Sequence, residues 1–374
     1  DTNHWSATSG GAGGETVPGS TDDVIGDANS GFTSGSRTVT LNVAIDIKSL
    51  DFSAVTQNVN VVTSNNQTIR GDFILKSGMT WGETGNSITF NTASTTCNVN
   101  TAGVTIGLAN FNVTGDGTFN LQSALTINRA GISGQFNCNH TGTINTNDFA
   151  ITALDLGGTG TGILNLGSST ITLTRTGSQA DVWDVPAGVT LNAGTSTIIL
   201  TGNTVDFSGA GKTYATVQFT GTPTRIFDSN TFNTLTTTAG KRVDFPTGNT
   251  QTITTLNAPG TSGSLITFRT ATQGGGSTAN ICVTSYNVSY VDVSNNIATC
   301  TPIYCPTCTD TGGNSGWTFS NPVPPSTVQP GAAPGAHARK PQLDKLFDKE
   351  PHQTDIIKKE PIIFHIPSVK PKIS

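Results

Sequence analysis

Thr170-Ile171-Thr172-Leu173-Thr174 and Ser196-Thr197-Ile198-Ile199-Leu200 carry the pattern from which the rest of the chain is read. In the first, hydroxylated and apolar residues alternate with a period of two, so an extended strand has one apolar and one hydroxylated face; the second is a short β-branched apolar run of the same length. β-Branched side chains favour that conformation, and Gly, Asn and Ser flank the runs as turn residues. The pattern recurs at Thr38-Val39-Thr40-Leu41-Asn42-Val43 and Ser87-Ile88-Thr89-Phe90, and continues from Arg37 to about Phe319. No stretch in this span offers an i, i+3, i+4, i+7 apolar face with caps, so essentially no helix is expected.

Large apolar residues recur at similar intervals. Phe90 and Phe111 lie 21 apart, Phe119 and Phe136 17 apart, and Leu173 and Leu191 18 apart. Such spacing predicts an all-β, right-handed parallel β-helix, or solenoid, with about 20 residues per rung and roughly 14 rungs. Stacked rungs place inward residues in apolar ladders, outward Thr and Asn in polar ladders, and Gly and Asn at corners. A row of β-sandwich modules is the alternative architecture.

Composition agrees with a solenoid. Only 11% of the 374 residues are charged and 34% are hydrophobic, whereas Gly supplies 43. An ordinary globular domain has about a quarter charged and nearly half apolar residues. Each rung needs few inward apolar side chains, because stacking makes the core continuous. The net charge of −5 offers no long-range attraction for nucleic acid, and no apolar run is long enough to span a membrane.

The solenoid reading divides the chain into an N-terminal cap segment, 1–36, and the β-helix itself, 37–319. A Pro/Ala/Gly linker, 320–341, and an extended, Pro-rich, non-globular docking tail, 342–374, follow. Trp5 is the candidate N-terminal cap; Trp317 and Phe319 are candidates at the other end. Unpaired ends of a solenoid are sheet edges, which must be covered or used for association. Residues 337–374 carry +3 against −8 for the rest of the chain, and hold His337, His352 and His365. Its apolar residues, Ile356, Ile357, Ile362, Ile363, Phe364, Ile366 and Val369, lie between prolines that forbid a continuous helix. An extended strand docking on a sheet edge of a neighbour fits that pattern, with a spacer as the bland alternative. The chain starts at Asp1 without Met, which is expected of a processed or truncated N-terminus.

Six cysteines, Cys97, Cys138, Cys282, Cys300, Cys305 and Cys308, are disulfide candidates in an oxidising compartment. Free thiols and a four-thiolate zinc site among the last four are the alternatives, with the wide gap between Cys282 and Cys300 against zinc. No cofactor and no metal is expected.

Candidate chemistry is sparse. Asp22-Asp23 reads as a turn or capping pair, Asp148 as isolated, and His140 as a loop or ladder position rather than a base. Asp181-Val182-Trp183-Asp184 places an aromatic between two acids, as in a sugar groove, but a packed Trp at a corner is the simpler reading. Arg70-Gly71-Asp72 spells a cell-attachment tripeptide yet leads straight into Phe73-Ile74-Leu75 as a turn-to-strand junction. Gly157-Gly158-Thr159-Gly160-Thr161-Gly162 and Gly274-Gly275-Gly276 lack the helix and Lys of a phosphate loop. Sequons at Asn66, Asn112, Asn139 and Asn287 are expected by chance in so Asn- and Thr-rich a chain.

The opening Asn3-His4-Trp5-Ser6-Ala7-Thr8-Ser9-Gly10-Gly11-Ala12-Gly13-Gly14, with Val17-Pro18, Asp22-Asp23-Val24-Ile25 and Asp27-Ala28-Asn29-Ser30-Gly31, resembles a β-solenoid family. That family is common in tailed-phage virion proteins and metagenomic surface proteins. Ser49-Leu50-Asp51-Phe52, Ser77-Gly78-Met79-Thr80-Trp81, Leu191-Asn192-Ala193-Gly194-Thr195, Ser289-Tyr290-Val291-Asp292-Val293-Ser294 and Asn314-Ser315-Gly316-Trp317-Thr318-Phe319 extend the resemblance over residues 3–319. The cysteine-bearing insert 297–309 and the tail depart from it. The resemblance implies a structural or attachment role. The expectation is therefore a non-catalytic structural protein of a virion or extracellular assembly, self-associating through its ends and tail. A glycan-binding or glycan-cleaving surface protein, or an adhesin, is the alternative.

Overall fold

The computed structural model describes residues 2–35, 37–82, 86–128, 134–177, 180–271 and 277–320. The chain divides into Asp1–Pro322 and Val323–Ser374. The second unit, with the expected docking residues Ile356 to Val369 and nearly all of the linker, lies outside the described residues. So does Gly274-Gly275-Gly276.

Strands stack in parallel into one solenoid. In its N-terminal part each rung visits three sheets in turn, as Thr96–Asn100, Thr105–Ile106 and Asn110–Gly115 do. The first sheet has eight strands, from Asp23–Ile25 to Thr190–Asn192. The second runs from Thr38–Leu41 to Asn296–Ala298 and the third from Ile45–Ile47 to Thr309–Asp310, with thirteen strands each. Pairing between these strands is parallel, which excludes sandwich modules built from antiparallel sheets. Asp23–Ile25, inside the segment read as a cap, already pairs with Ser49–Asp51.

Beyond Asn192 the cross-section changes. Second-sheet strands lengthen to Thr213–Phe219, Thr231–Thr237, Thr250–Pro259 and Ala279–Ser289. Their pairing lapses at the stacked positions Ala215, Asn233 and Thr254, so each strand carries two columns either side of a step. Tyr214, Phe232, Ile253 and Val283 form one inward column, and Val217, Leu235 and Leu256 the other.

Inward side chains fill the core as ladders. On the third sheet Ile88, Phe111, Phe136, Leu156, Trp183 and Phe207 are successive partners, all essentially inaccessible. Phe111 and Phe136 stack with ring centroids 5.5 Å apart, and Trp183 and Phe207 with centroids 6.1 Å apart. Offset ring stacks of this kind add to simple area burial.

The recurrences seen in sequence mark rungs only roughly. Phe90 and Phe111 touch across adjacent rungs at 4.7 Å, but Phe90 pairs in register with Val113. Leu173 stacks on Leu200, and Leu191 on Leu164, so these two leucines belong to different sheets. Rung length varies from 17 residues between Asp292 and Thr309 to 30 between Thr255 and Ser285. The ladder constrains the strands, whereas corners absorb extra residues, and that blurs the period.

One corner is built from glycine. Gly117, Gly142 and Gly162 each precede a first-sheet strand, one above another. A Cβ on Gly142 would sit 2.0 Å from the carbonyl oxygen of Gly117, and one on Gly162 2.2 Å from that of Gly142. Only glycine lets the backbones approach so closely.

Candidate interaction surfaces

The outward face of the first sheet carries an amide ladder. Asn98, Asn120, Asn145, Asn165 and Asn192 occupy one column in register. Each Nδ2 donates to the Oδ1 of the rung before: Asn120 to Asn98 (3.1 Å), Asn145 to Asn120 (2.8 Å), Asn165 to Asn145 (2.7 Å) and Asn192 to Asn165 (2.6 Å). Asn98 in turn donates to Asp72 at 2.9 Å. Identical spacing lets one side chain serve as both donor and acceptor, the arrangement that stabilises Asn stacks in cross-β structure.

The third sheet carries charge. Asp181, Asp206, Arg225, Asp244 and Arg269 follow one another in register. Arg225 Nε donates to Asp206 Oδ1 at 2.6 Å, Arg242 Nε to Asp244 Oδ1 at 2.7 Å, and Arg269 pairs with Asp292. Lower on the same sheet Arg70 grips Asp46 through two 2.7 Å bonds, and Arg175 pairs with Asp155. The Arg70 guanidinium holds the Asp46 carboxyl below its ordinary range. Burial pushes Asp155 above it, against the pull of Arg175. These pairs were missed in the sequence, although a signal was present. Arg70 and Asp46 are 24 residues apart, Arg175 and Asp155 20, Arg225 and Asp206 19, Arg269 and Asp292 23, which is one rung in each case.

Most of the residues singled out for chemistry serve the stack. Asp22 accepts the Gly19 N–H at 2.8 Å in a turn, and Asp23 pairs with Lys48 at 2.7 Å. Asp148 sits at a corner with φ 66° and accepts the Ser168 N–H at 2.6 Å. Asp72 accepts both the N–H and the amide of Asn98, so the Arg70-Gly71-Asp72 tripeptide is engaged by its neighbouring rungs. The sequon residues Asn66, Asn112, Asn139 and Asn287 likewise hydrogen-bond to a neighbouring rung.

His140 is a buried ladder residue rather than an exposed loop one. Its Nε2–H donates to the Ile163 carbonyl at 2.9 Å, and burial lowers its pKa. The glycine run at 157–162 explains itself here: a Cβ on Gly160 would lie 2.5 Å from the His140 carbonyl oxygen, and one on Gly162 2.8 Å from the ring. Trp183 is fully buried and donates to the Tyr214 hydroxyl at 3.1 Å, so it is a core residue and not a sugar platform. Beside it Asp184 is half-buried, and burial, with Asp181 and Asp228 nearby, raises its carboxyl. Such a carboxyl can hold a proton that an ordinary aspartate releases.

At the C-terminal end Cys282–Cys300 ties adjacent rungs, and Cys305–Cys308 closes a short loop. Four of the six disulfide candidates are therefore paired. Cys97 and Cys138 are a correction: both are free, because they stand in the cores of different sheets, stacked on Phe119 and Val113. Burial pushes both thiols up, Cys97 with Asp72 adding to the effect, which leaves them unreactive. Among the described residues no His, Cys, Asp and Glu converge on a metal geometry.

Both ends carry the expected aromatics. Trp5 and Trp317 are half-buried against the core. Trp317–Thr318 pairs with Ile303–Tyr304, Trp317 Nε1 donates to Asn296 Oδ1 at 3.1 Å, and its ring stacks on Phe319. The first strand of each sheet presents an edge at the N-terminal end, where Ile25 is 66% and Val43 54% exposed.

No protein-family model, curated protein or solved structure matches this chain. The parallel β-solenoid therefore rests on the strand pairing itself.

Proposed function

We propose that the protein is a non-catalytic structural rod of an extracellular or virion assembly, joined to its neighbours by its ends and its C-terminal tail. The observation that carries this reading is how the outward polar groups are used. On two sheets the amides and ion pairs bind the rung above or below, which stiffens a rod rather than converging on a small substrate. The sheet edges and exposed Ile25 and Val43 at the N-terminal end supply a surface for end contacts. The two disulfides favour an oxidising location such as the cell exterior or a virion surface. Right-handed winding accords with the general handedness of parallel crossovers. No helix among the described residues is long and apolar enough to cross a membrane.

Electron microscopy and light scattering of the full chain test this reading. End-joined rods or filaments are expected, and deletion of residues 337–374 is expected to disperse them. A chain that stays monomeric at all concentrations overturns the assembly role; filaments unchanged by the deletion overturn the role of the tail. A glycan-cleaving or glycan-binding surface protein is the second reading, and the raised carboxyl of Asp184 beside Asp181 is what favours it. Hydrolysis of surface polysaccharide that is lost in Asp184→Asn would establish it.

A further inference from the structure

The second sheet differs from both surfaces above. None of its thirteen strands, from Thr38–Leu41 to Asn296–Ala298, contains Asp, Glu, Lys, Arg or His. Its outward positions form two neighbouring columns. One runs Thr170, Thr197, Thr216, Thr234, Thr255 and Ser285, each the register partner of the next. The other runs Thr105, Thr126, Thr152 and Thr172, again on successive rungs. Ile199 and Gln218 interrupt it before Thr236.

These hydroxyls are unspent. Among the described residues, Thr170, Thr197, Thr216 and Thr234 make no side-chain hydrogen bond to protein, nor do Thr126, Thr152 and Thr172. Only at the end of the first column does Thr255 meet Ser285, at 3.0 Å. Of the aromatic side chains of this sheet, Trp81, Tyr214, Phe219 and Phe232 are buried, and Tyr286 is half-buried with its hydroxyl held by the Pro302 carbonyl and the Tyr304 N–H, so no row of rings forms a stacking platform outside. Backbone pairing holds the hydroxyls about 4.8 Å apart from rung to rung and about 6.7 Å apart along a strand. β-Branching restricts each threonine to few rotamers, so the array is rigid before anything binds.

We propose that this face binds ice. A ligand suited to it must repeat along a row at an interval of about 4.8 Å and carry no charge. It must also give and take hydrogen bonds equally, because a hydroxyl offers one donor and two acceptor sites. The surface lattice of ice meets all three conditions, and the threonine methyls fill the space between its oxygens. A polyanion would be drawn to Lys or Arg, which these strands lack, and a discrete sugar to exposed aromatic rings. Each hydroxyl gains little by exchanging one water for another. A rigid row of them engages together and must release together, and that makes attachment lasting. The inference stands independently of the assembly role.

The test is thermal hysteresis of the full chain, with observation of crystal habit and of labelled protein in a growing ice hemisphere. A gap between melting and freezing points, faceted crystals and uptake of label into the ice are expected. The combined Thr197→Lys, Thr216→Lys, Thr234→Lys variant is expected to lose all three while keeping its circular dichroism spectrum. Should it not fold, Thr216→Lys alone is expected to weaken the hysteresis. Thr68→Lys, on the third sheet, is expected to retain it. Exclusion of the wild-type chain from ice, or full activity in a folded triple variant, overturns the proposal. So does attachment to insoluble cellulose or chitin with ice growth unaffected.

Discussion

The second and third sheets share rungs and a core, yet their outer surfaces have opposite chemistry. Outward positions of the third sheet pair Asp with Arg between rungs, as in Asp206 with Arg225, and leave Asp206 only 4% exposed. Outward positions of the second sheet carry threonines whose hydroxyls face solvent, as at Thr216 and Thr234. The difference teaches that a solenoid sets inward and outward columns separately. Core volume dictates the inward residue, and the outward residue answers only to its neighbours one rung away.

If the core is common property, equivalent inward truncations on the two sheets must cost alike. Phe207→Ala on the third sheet and Phe219→Ala on the second, both fully buried, are each expected to lose about 3–5 kcal/mol. Denaturant unfolding measures this, and a clear inequality between the two would break the shared-core half of the comparison.

Outward truncations should diverge. Asp206→Ala leaves Arg225 without its partner in a half-buried column and is expected to cost about 3 kcal/mol, the lower end for such pairs because Arg225 keeps 24% exposure. Thr216→Ala is expected to stay within about 0.5 kcal/mol of wild type. Equal costs at the two positions would mean that the ion column is surface decoration.

The smallest effect concerns pH. His140 ends the third-sheet strand Gln135–His140, and its pKa in the fold lies below the ordinary 6.5. The folded state therefore binds fewer protons than the unfolded one. The contribution of His140 is complete above pH 6.5 and is lost as pH falls below it. Asp155 and Asp184, whose carboxyls are raised, act in the opposite sense, so wild type must be compared with His140→Gln. The stability difference between the two proteins is expected to shift by about 1 kcal/mol or less between about pH 7 and about pH 5. A difference that does not change with pH would show that His140 is not the titrating group.

Much of the strand pattern was legible. Thr170–Leu173, Thr197–Leu200 and Ser87–Asn91 form within a residue of where alternation placed them, because a period of two has one structural answer. The choice of stacked rungs over sandwich modules was legible only through a rough recurrence of about 20 residues and a low apolar content, since both folds use short strands and differ in what pairs with what. Outward Asn and Thr ladders were foreseeable as a class. Their members were not, because corners of variable length hide which Asn stands above which. The packing of Trp183 was expected, but the burial of His140 and the partner of Trp183 escaped sequence reading for a related reason. His140 lies under a glycine run about twenty residues on, and Trp183 meets Tyr214 31 residues away.

Local sequence thus determined that this chain is all-β, poor in charge and built from alternating strands, because side-chain alternation and turn chemistry act over a few residues. Only tertiary structure decided the parallel register, the pairing of four cysteines and not six, and the division into an amide face, an ionic face and a hydroxyl face. Those depend on contacts one rung apart. The chain sets that distance through corners of variable length, which make rungs of 17 to 30 residues, and no local rule counts them.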